Sequence, residues 1–264
     1  MVKHLLARSV RSNLGLLGII LAVLAMYGGI IVTMYDPELG DTLNSMAAAM
    51  PELFAAFGMA GTPATLTEFL VNYLYGFLLL VFPLVMSILL ANRLVASYVD
   101  SGAVAYLLAS PHSRAAIIAT QAVVHIVSNW ICLAIFYGGC SAFCEMMFPG
   151  ELDWTALARV TLGLAAMHFF FGGLLFASVC IFNDAKPAVG VGTSLTVLFL
   201  LIQMAEQVSD KFDWLQYLTP VTLYRTTELM EGTGGVWQAC VLAGAGFVMY
   251  LAGGIIFCRK DISA

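Results

Sequence analysis

Residues 69–91 read FLVNYLYGFLLLVFPLVMSILLA, a run of 23 without one charged side chain. A bilayer core of about 30 Å needs roughly 20 helical residues per crossing, so this run predicts a membrane-spanning helix. Five more runs of the same kind lie near 14–34, 115–143, 156–182, 188–207 and 235–258. Together they predict an all-α integral membrane protein of six transmembrane helices, forming one domain over 1–264. The 264 residues are 61% hydrophobic and only 10% charged, whereas soluble domains carry about 25% charged residues. Long apolar runs also fit helices better than a barrel, whose strands alternate with period two.

Charge sets the expected orientation. With both termini in the cytoplasm, the inner segments hold Lys3, Arg8, Arg11, Arg93, Arg114, Lys186, Arg259 and Lys260, eight of the eleven basic residues. The outer segments hold Arg159, Lys211 and Arg225. Lys/Arg bias decides topology, so N-in and C-in is expected. Asp36, Glu38, Asp41 and Glu52 fall in a first outer loop that has no Lys or Arg. The basic N-terminus before an apolar run resembles a signal peptide. The run is long enough to span, however, and no small-x-small site follows it directly, so an uncleaved first helix is expected.

Residues 2–12 place Val2, Leu5, Leu6 and Val10 opposite His4, Arg8 and Arg11. That pattern predicts a separate interfacial helix, basic toward anionic headgroups, bending at Asn13 into the first span. In the first outer loop Leu43, Met46, Met50, Leu53, Phe54 and Phe57 recur at helical spacing around Pro51. A helix resting on the outer leaflet or capping the bundle is expected there; a lid over a substrate exit is the alternative. Thr67 and Glu68 suit the start of the second span. Asn72 and Asn92 sit near that span's ends, and Pro83 inside it removes a backbone bond and should kink it.

In the third span Gln121, His125 and Asn129 share a face. Helix-to-helix hydrogen bonding is the expectation for them and for His168 in the fourth, with a proton or substrate relay as the alternative. Pro187 follows a tight turn at 183–187 and suits the first turn of the fifth span. Gly190, Gly192, Thr193, Ser194 and Thr196 then offer a small-residue face, before Gln203 and Glu206 near its outer end. Phe212, Trp214, Leu215, Tyr217 and Leu218 precede Pro220; Val221, Leu223, Tyr224, Leu229 and Met230 follow. Aromatics on both sides of a proline predict two short helices in the outer interface, ended by Gly232, Gly234 and Gly235. The six cysteines, 132, 140, 144, 180, 240 and 258, lie in or at the ends of spans and read as packing residues. Cys140 and Cys144 are one turn apart, but no His or carboxylate completes a metal site; no metal is expected.

No phosphate loop, H-E-x-x-H or G-x-S-x-G occurs in the chain, so a transport role is favoured over a catalytic one. Nothing points to nucleic acid. Asn72, Pro83, Thr193, Thr196, Gln203 and Glu206 are the candidate residues for a substrate path or its gating.

Between the second and third spans, residues 102–114 read GAVAYLLASPHSR. Asp100 or Ser101 can cap a short helix over 102–109. Pro111 disfavours helix at Ser110, so Ser110 and Pro111 are expected as cap and first residue of the next helix. Tyr106, Leu107 and Leu108 are more apolar than a solvated connector needs.

This segment resembles the ABC-2 type permeases of ATP-binding-cassette exporters, in which a Gly-x-x-x-x-Leu-Leu-x-x-Pro-x-x-Arg-like stretch forms the coupling helix that docks on an ATPase subunit. Gly102, Leu107, Leu108, Pro111 and Arg114 match at consistent spacing. The resemblance extends over the chain: a basic N-terminal helix, six spans, outer helices before the last span and a closing FCRKDI at 257–262. Ala103 and Ala105 stand where the family often has Thr and Glu, and acidic residues before the glycine are reduced to Asp100. The resemblance implies docking through Asp100, Tyr106, Leu107 and Leu108 more by apolar contact than by charge. It further implies a permease subunit in a bacterial cytoplasmic membrane, paired with a like or similar second permease and with two separately encoded ATPase subunits. Those subunits would bind the ATP and Mg²⁺. An apolar and aromatic path would suit a hydrophobic or amphipathic substrate: a peptide, a lipid-like molecule or a drug. The residues alone leave open an ion-gradient-driven transporter or channel, and a non-transporting immunity or scaffold protein.

Overall fold

Inside a bilayer, backbone N–H and C=O groups have no water to bond, so long apolar runs close their hydrogen bonds within helices. The computed structural model describes residues 2–35, 45–46, 48–59, 63–97, 112–208 and 210–260. It is 86% helical, with no strand among the described residues. Six helices are long and apolar enough to cross a membrane: Lys3–Thr33, Leu66–Ala96, Arg114–Met147, Trp154–Ile181, Ala185–Val208 and Val236–Arg259. These are the first to sixth spans, and they make the chain a multi-pass membrane protein by length and composition.

The first span corrects one expectation. The helix runs unbroken from Lys3 to Thr33, so residues 2–12 are its first turns, not a separate segment bending at Asn13. Asn13 spends its amide on the helix itself, Nδ2 donating to the Ser9 carbonyl at 2.8 Å. Both residues are buried. Ser9 Oγ donates to Gln121 Oε1 at 3.1 Å, and the Val2 N–H donates to Thr120 Oγ1 at 3.0 Å. Bonds to the third span therefore hold this stretch upright.

The second span is irregular at its ends. Thr65, not Thr67, is its N-cap and accepts from the Glu68 N–H. π-Turns occupy Val71–Tyr75 and Asn92–Ala96. The helix Leu78–Ala91 between them continues past Pro83. The third span starts at Arg114 with Ser113 as N-cap, later than the start expected at Ser110 and Pro111, which lie outside the described residues. Ser113 has the extended backbone and the free hydroxyl that a cap requires.

The fourth span is the centre of the bundle. Among its buried residues, Gly172 and Gly173 face the sixth span. A Cβ on Gly173 would sit 2.6 Å from the Gly246 carbonyl oxygen, and one on Gly253 would sit 2.9 Å from Ala177 Cα. Only glycine lets the two backbones approach so closely, and this contact replaces the hydrophobic drive that lipid cannot supply. The fifth span differs. It buries Ala188, Gly192 and Thr196 alone, a single stripe at spacing four. Gly192 meets Leu175 and Ser178, and Ser178 Oγ donates to the Ala188 carbonyl at 2.6 Å. Gly190 and Ser194, expected on the same small face, are exposed on the other side.

Alternation of the spans gives the bundle two ends. At one, Asp153 caps the fourth span, accepting from the Thr155 and Ala156 N–H groups, while its own N–H donates to Thr67 Oγ1 at 3.0 Å. At the other, Arg114 donates to the Lys260 carbonyl at 2.9 Å and Lys260 Nζ donates to the Phe182 carbonyl. Burial lowers the Lys260 ammonium below its ordinary value.

Candidate functional site

At the Asp153 end, the chain between the fifth and sixth spans forms three short helical pieces rather than the expected two. They are the 3-10 turns Asp210–Tyr217 and Pro220–Leu223 and the α-helix Thr226–Glu231. The break at Pro220 follows from Thr219, whose side chain accepts from the Val221 N–H and so caps a fresh turn with Pro at its first position. Thr219 Oγ1 also donates to the Phe199 carbonyl of the fifth span at 2.9 Å. Thr222 Oγ1 donates to the Gln216 carbonyl at 2.9 Å. These two hydroxyls fold the segment back over the end of the fifth span.

The result is an open cleft of about 900 Å³ between the fifth span and the 216–225 segment. Gln203, Glu206 and Gln207 line one side; Gln216, Thr219 and Arg225 line the other. Phe170, Phe199, Leu218 and Leu223 supply apolar wall. The volume lies in the range of small-molecule sites, about 300–1,000 Å³. Gln203 Nε2 donates to Glu206 Oε2 at 3.3 Å, while Gln203 Oε1 is buried with no partner among the described residues.

Arg225 and Arg159 are both held by local partners. Arg225 forms an ion pair with Glu228. Arg159 donates from Nε to the Leu229 carbonyl at 2.9 Å and from Nη2 to the Met230 carbonyl. The guanidinium thus closes the C-terminus of Thr226–Glu231, where unpaired carbonyls favour a cation. Gly232 (φ +74°) completes that ending in the left-handed region.

The candidate path residues separate. Gln203 and Glu206 line the cleft. Asn72 lies in the π-turn of the second span and Pro83 is buried within it. Thr193 and Thr196 lie on the fifth span below the cleft lining, Thr196 Oγ1 donating to its own helix at Gly192 O, 3.0 Å. Of the coupling residues, Asp100, Gly102, Tyr106, Leu107, Leu108 and Pro111 lie outside the described residues; Arg114 ties into Lys260. Leu43 also lies outside them. The helix Pro51–Ala56 packs against the fifth span, and Phe57 meets Phe77 edge-on at 4.8 Å.

The buried histidines act on the second span. Pro83 has no N–H for the Leu79 carbonyl four residues back; His168 Nε2 donates to that oxygen at 2.8 Å. His125 Nε2 donates to the Ser87 carbonyl at 2.9 Å. A carbonyl only accepts, so each proton is on Nε2, and His125 Nδ1 accepts from Tyr250 O–H at 2.6 Å. Asn129 Nδ2 donates to the His125 carbonyl at 3.0 Å, and Gln121 bonds Ser9. His125, His168 and Gln121 thus bond between helices, with the third and fourth spans strapping the second, whereas the Asn129 bond stays within the third span.

Sequence reasoning missed Thr219, Thr222, Gln216, Arg225, Phe170 and Phe199. Thr219 followed by Pro220 was a legible cap signal. The others had none, because each enters the cleft only through the fold-back of 210–225. No curated protein matches the chain. The family described as "Protein of unknown function (DUF2705)" matches residues 29–263, and the chain belongs to that family.

Proposed function

We propose that this chain is the membrane-spanning permease subunit of an ATP-binding-cassette exporter of the ABC-2 type, moving a hydrophobic or amphipathic substrate outward. The observation that carries the reading is the match of Gly102, Leu107, Leu108, Pro111 and Arg114 to the coupling pattern, in the connector between the second and third of six apolar spans. Eight basic residues gather at the end of the bundle where that connector lies, which supports a cytoplasmic assignment for it. The tie from Arg114 to Lys260 supports a link between the connector and the sixth span. The narrow seat of the fifth span supports movement of that helix against a fixed fourth. The cleft, at the opposite end, is then an exit-side substrate contact. In this assembly two ATPase subunits hold ATP and Mg²⁺, and a second permease completes the path in a bacterial cytoplasmic membrane.

Gentle-detergent purification of the full chain should recover a phosphate-loop ATPase. Leu107→Asp with Leu108→Asp should abolish that recovery while membrane insertion persists. Recovery of no ATPase with the wild-type chain, or undiminished recovery with the double variant, overturns the proposal. Transport that follows a proton or sodium gradient without ATP would point instead to a gradient-driven carrier.

A further inference from the structure

We propose that the groove between the third and sixth spans, at their basic end, seats one anionic phospholipid. An acyl chain lies along the groove and the headgroup phosphate rests on Arg259. The inference goes beyond the permease reading and stands on other residues.

The groove follows from how the sixth span is packed. That helix lies chiefly on the fourth, with Gly253 against Ala177, and beside the third it leaves an opening of about 520 Å³. Ala115, Ala119 and Ala122 form the wall on the third span; Leu251, Gly254 and Ile255 form the wall on the sixth. Side chains as short as alanine and glycine leave the space unfilled, and a Cβ at Gly254 would meet nothing within 4 Å. The buried Phe176 and Tyr250 make the floor, with the Tyr250 hydroxyl turned to His125. The interior therefore offers carbon to its occupant.

Length selects an acyl chain. From Ala115 to Val123 the third span rises about 12 Å, and from Arg259 to Tyr250 the sixth rises about 14 Å. One leaflet supplies half of a hydrocarbon core of about 30 Å, so the groove runs through most of a leaflet.

Charge selects the head. Arg259 lines the mouth and is exposed. Arg114, one residue before Ala115, reaches the same helix end, its guanidinium donating to the Lys260 carbonyl at 2.9 Å. The first turn of the third span adds the positive end of its dipole. Among residues with described side chains, this end of the bundle holds eight Lys and Arg and one carboxylate, Asp184, whose charge acts on Lys260. Basic pockets between spans take anionic headgroups, each Lys or Arg near the surface adding roughly fivefold in affinity. A zwitterionic head brings its own cation into this field and gains less.

Native mass spectrometry tests the proposal on the full chain, with whatever partner it retains, in mild detergent. The probes are dioleoylphosphatidylglycerol and dioleoylphosphatidylcholine, whose identical chains leave the head as the only difference. Phosphatidylglycerol should add first, one molecule per chain, about fivefold or more tighter than phosphatidylcholine. Arg259→Gln should cut that preference about fivefold and leave phosphatidylcholine unchanged. Lys186→Gln, at the same end but off the groove, should keep it. Gly254→Leu fills the groove where space is open and should abolish the first addition of either lipid. Ala119→Leu should do the same from the third span, so the claim survives one filling variant that fails to fold. Equal affinity for the two lipids, equal losses from Lys186→Gln and Arg259→Gln, or unchanged addition to the filled variants overturns the inference. Addition to monomers but not to dimers would give the groove to a second copy and also overturns it. Recovery of an ATPase bears on the permease reading alone, so either can fail without the other.

Discussion

The fourth and fifth spans are joined by a tight turn yet are held in opposite ways. The fourth is packed on several sides and meets the sixth backbone to backbone at Gly173 and Gly246. The fifth buries Ala188, Gly192 and Thr196 only, leaving Val191, Leu195, Leu198 and Leu201 exposed. Both sequences are apolar, so hydropathy does not separate them. Glycine placement does. Where a Cβ would strike a neighbouring backbone, the contact is a fixed seam; where it meets nothing, the helix face is open to lipid or to another chain. The cleft-forming segment is tied to the fifth span by the Thr219 bond to the Phe199 carbonyl.

The largest expected effect attacks the seam. Gly173→Val forces side-chain atoms into the Gly246 carbonyl and should cost roughly 3 kcal/mol or more, seen as loss of the monodisperse peak in size-exclusion chromatography. Gly190→Ala on the fifth span, where a Cβ meets nothing within 4 Å, should leave the peak and the Tm within error. Equal damage from both would dissolve the contrast between the spans.

A smaller effect sharpens the account of the strapped second span. His168→Ala should destabilise by roughly 1–3 kcal/mol in detergent unfolding, because it strands the buried Leu79 carbonyl. In a Pro83→Ala background the restored N–H serves that oxygen, and the penalty should shrink by about half or more. Additive penalties would show that the histidine does not substitute for the missing proline bond.

The smallest effect lies at the cap. Amide donation from Ala156, then the Thr155 hydroxyl, holds the Asp153 carboxyl below its ordinary value. A depressed folded value adds stability above the unfolded value of about 3.9, lost as pH falls through the folded one. Asp153→Ala should cost about 1 kcal/mol at neutral pH, and its Tm gap to the wild type should narrow in acid. A gap constant with pH would remove the carboxylate from the explanation.

The six spans and the basic end were legible in the sequence, because apolar length and Lys/Arg bias are local properties. Gln203 and Glu206 were legible as polar residues at a span end. The continuous first helix was not, since Asn13 reads as a breaker until Gln121 and Thr120 of the third span hold the stretch beside it. Nor was the third piece of 210–231, whose fold-back rests on Thr219 and Thr222 reaching separate carbonyls.

By itself the sequence determined that this chain has six runs long and apolar enough to cross a membrane, because that capacity depends on roughly 20 consecutive residues. Only the tertiary structure decided which faces meet. Helices apolar all round carry no stripe that sets their rotation. The pairing of Gly173 with Gly246, the His168 bond to a carbonyl 89 residues away and the cleft beside Glu206 therefore arise from close backbone approach and from buried polar atoms finding partners.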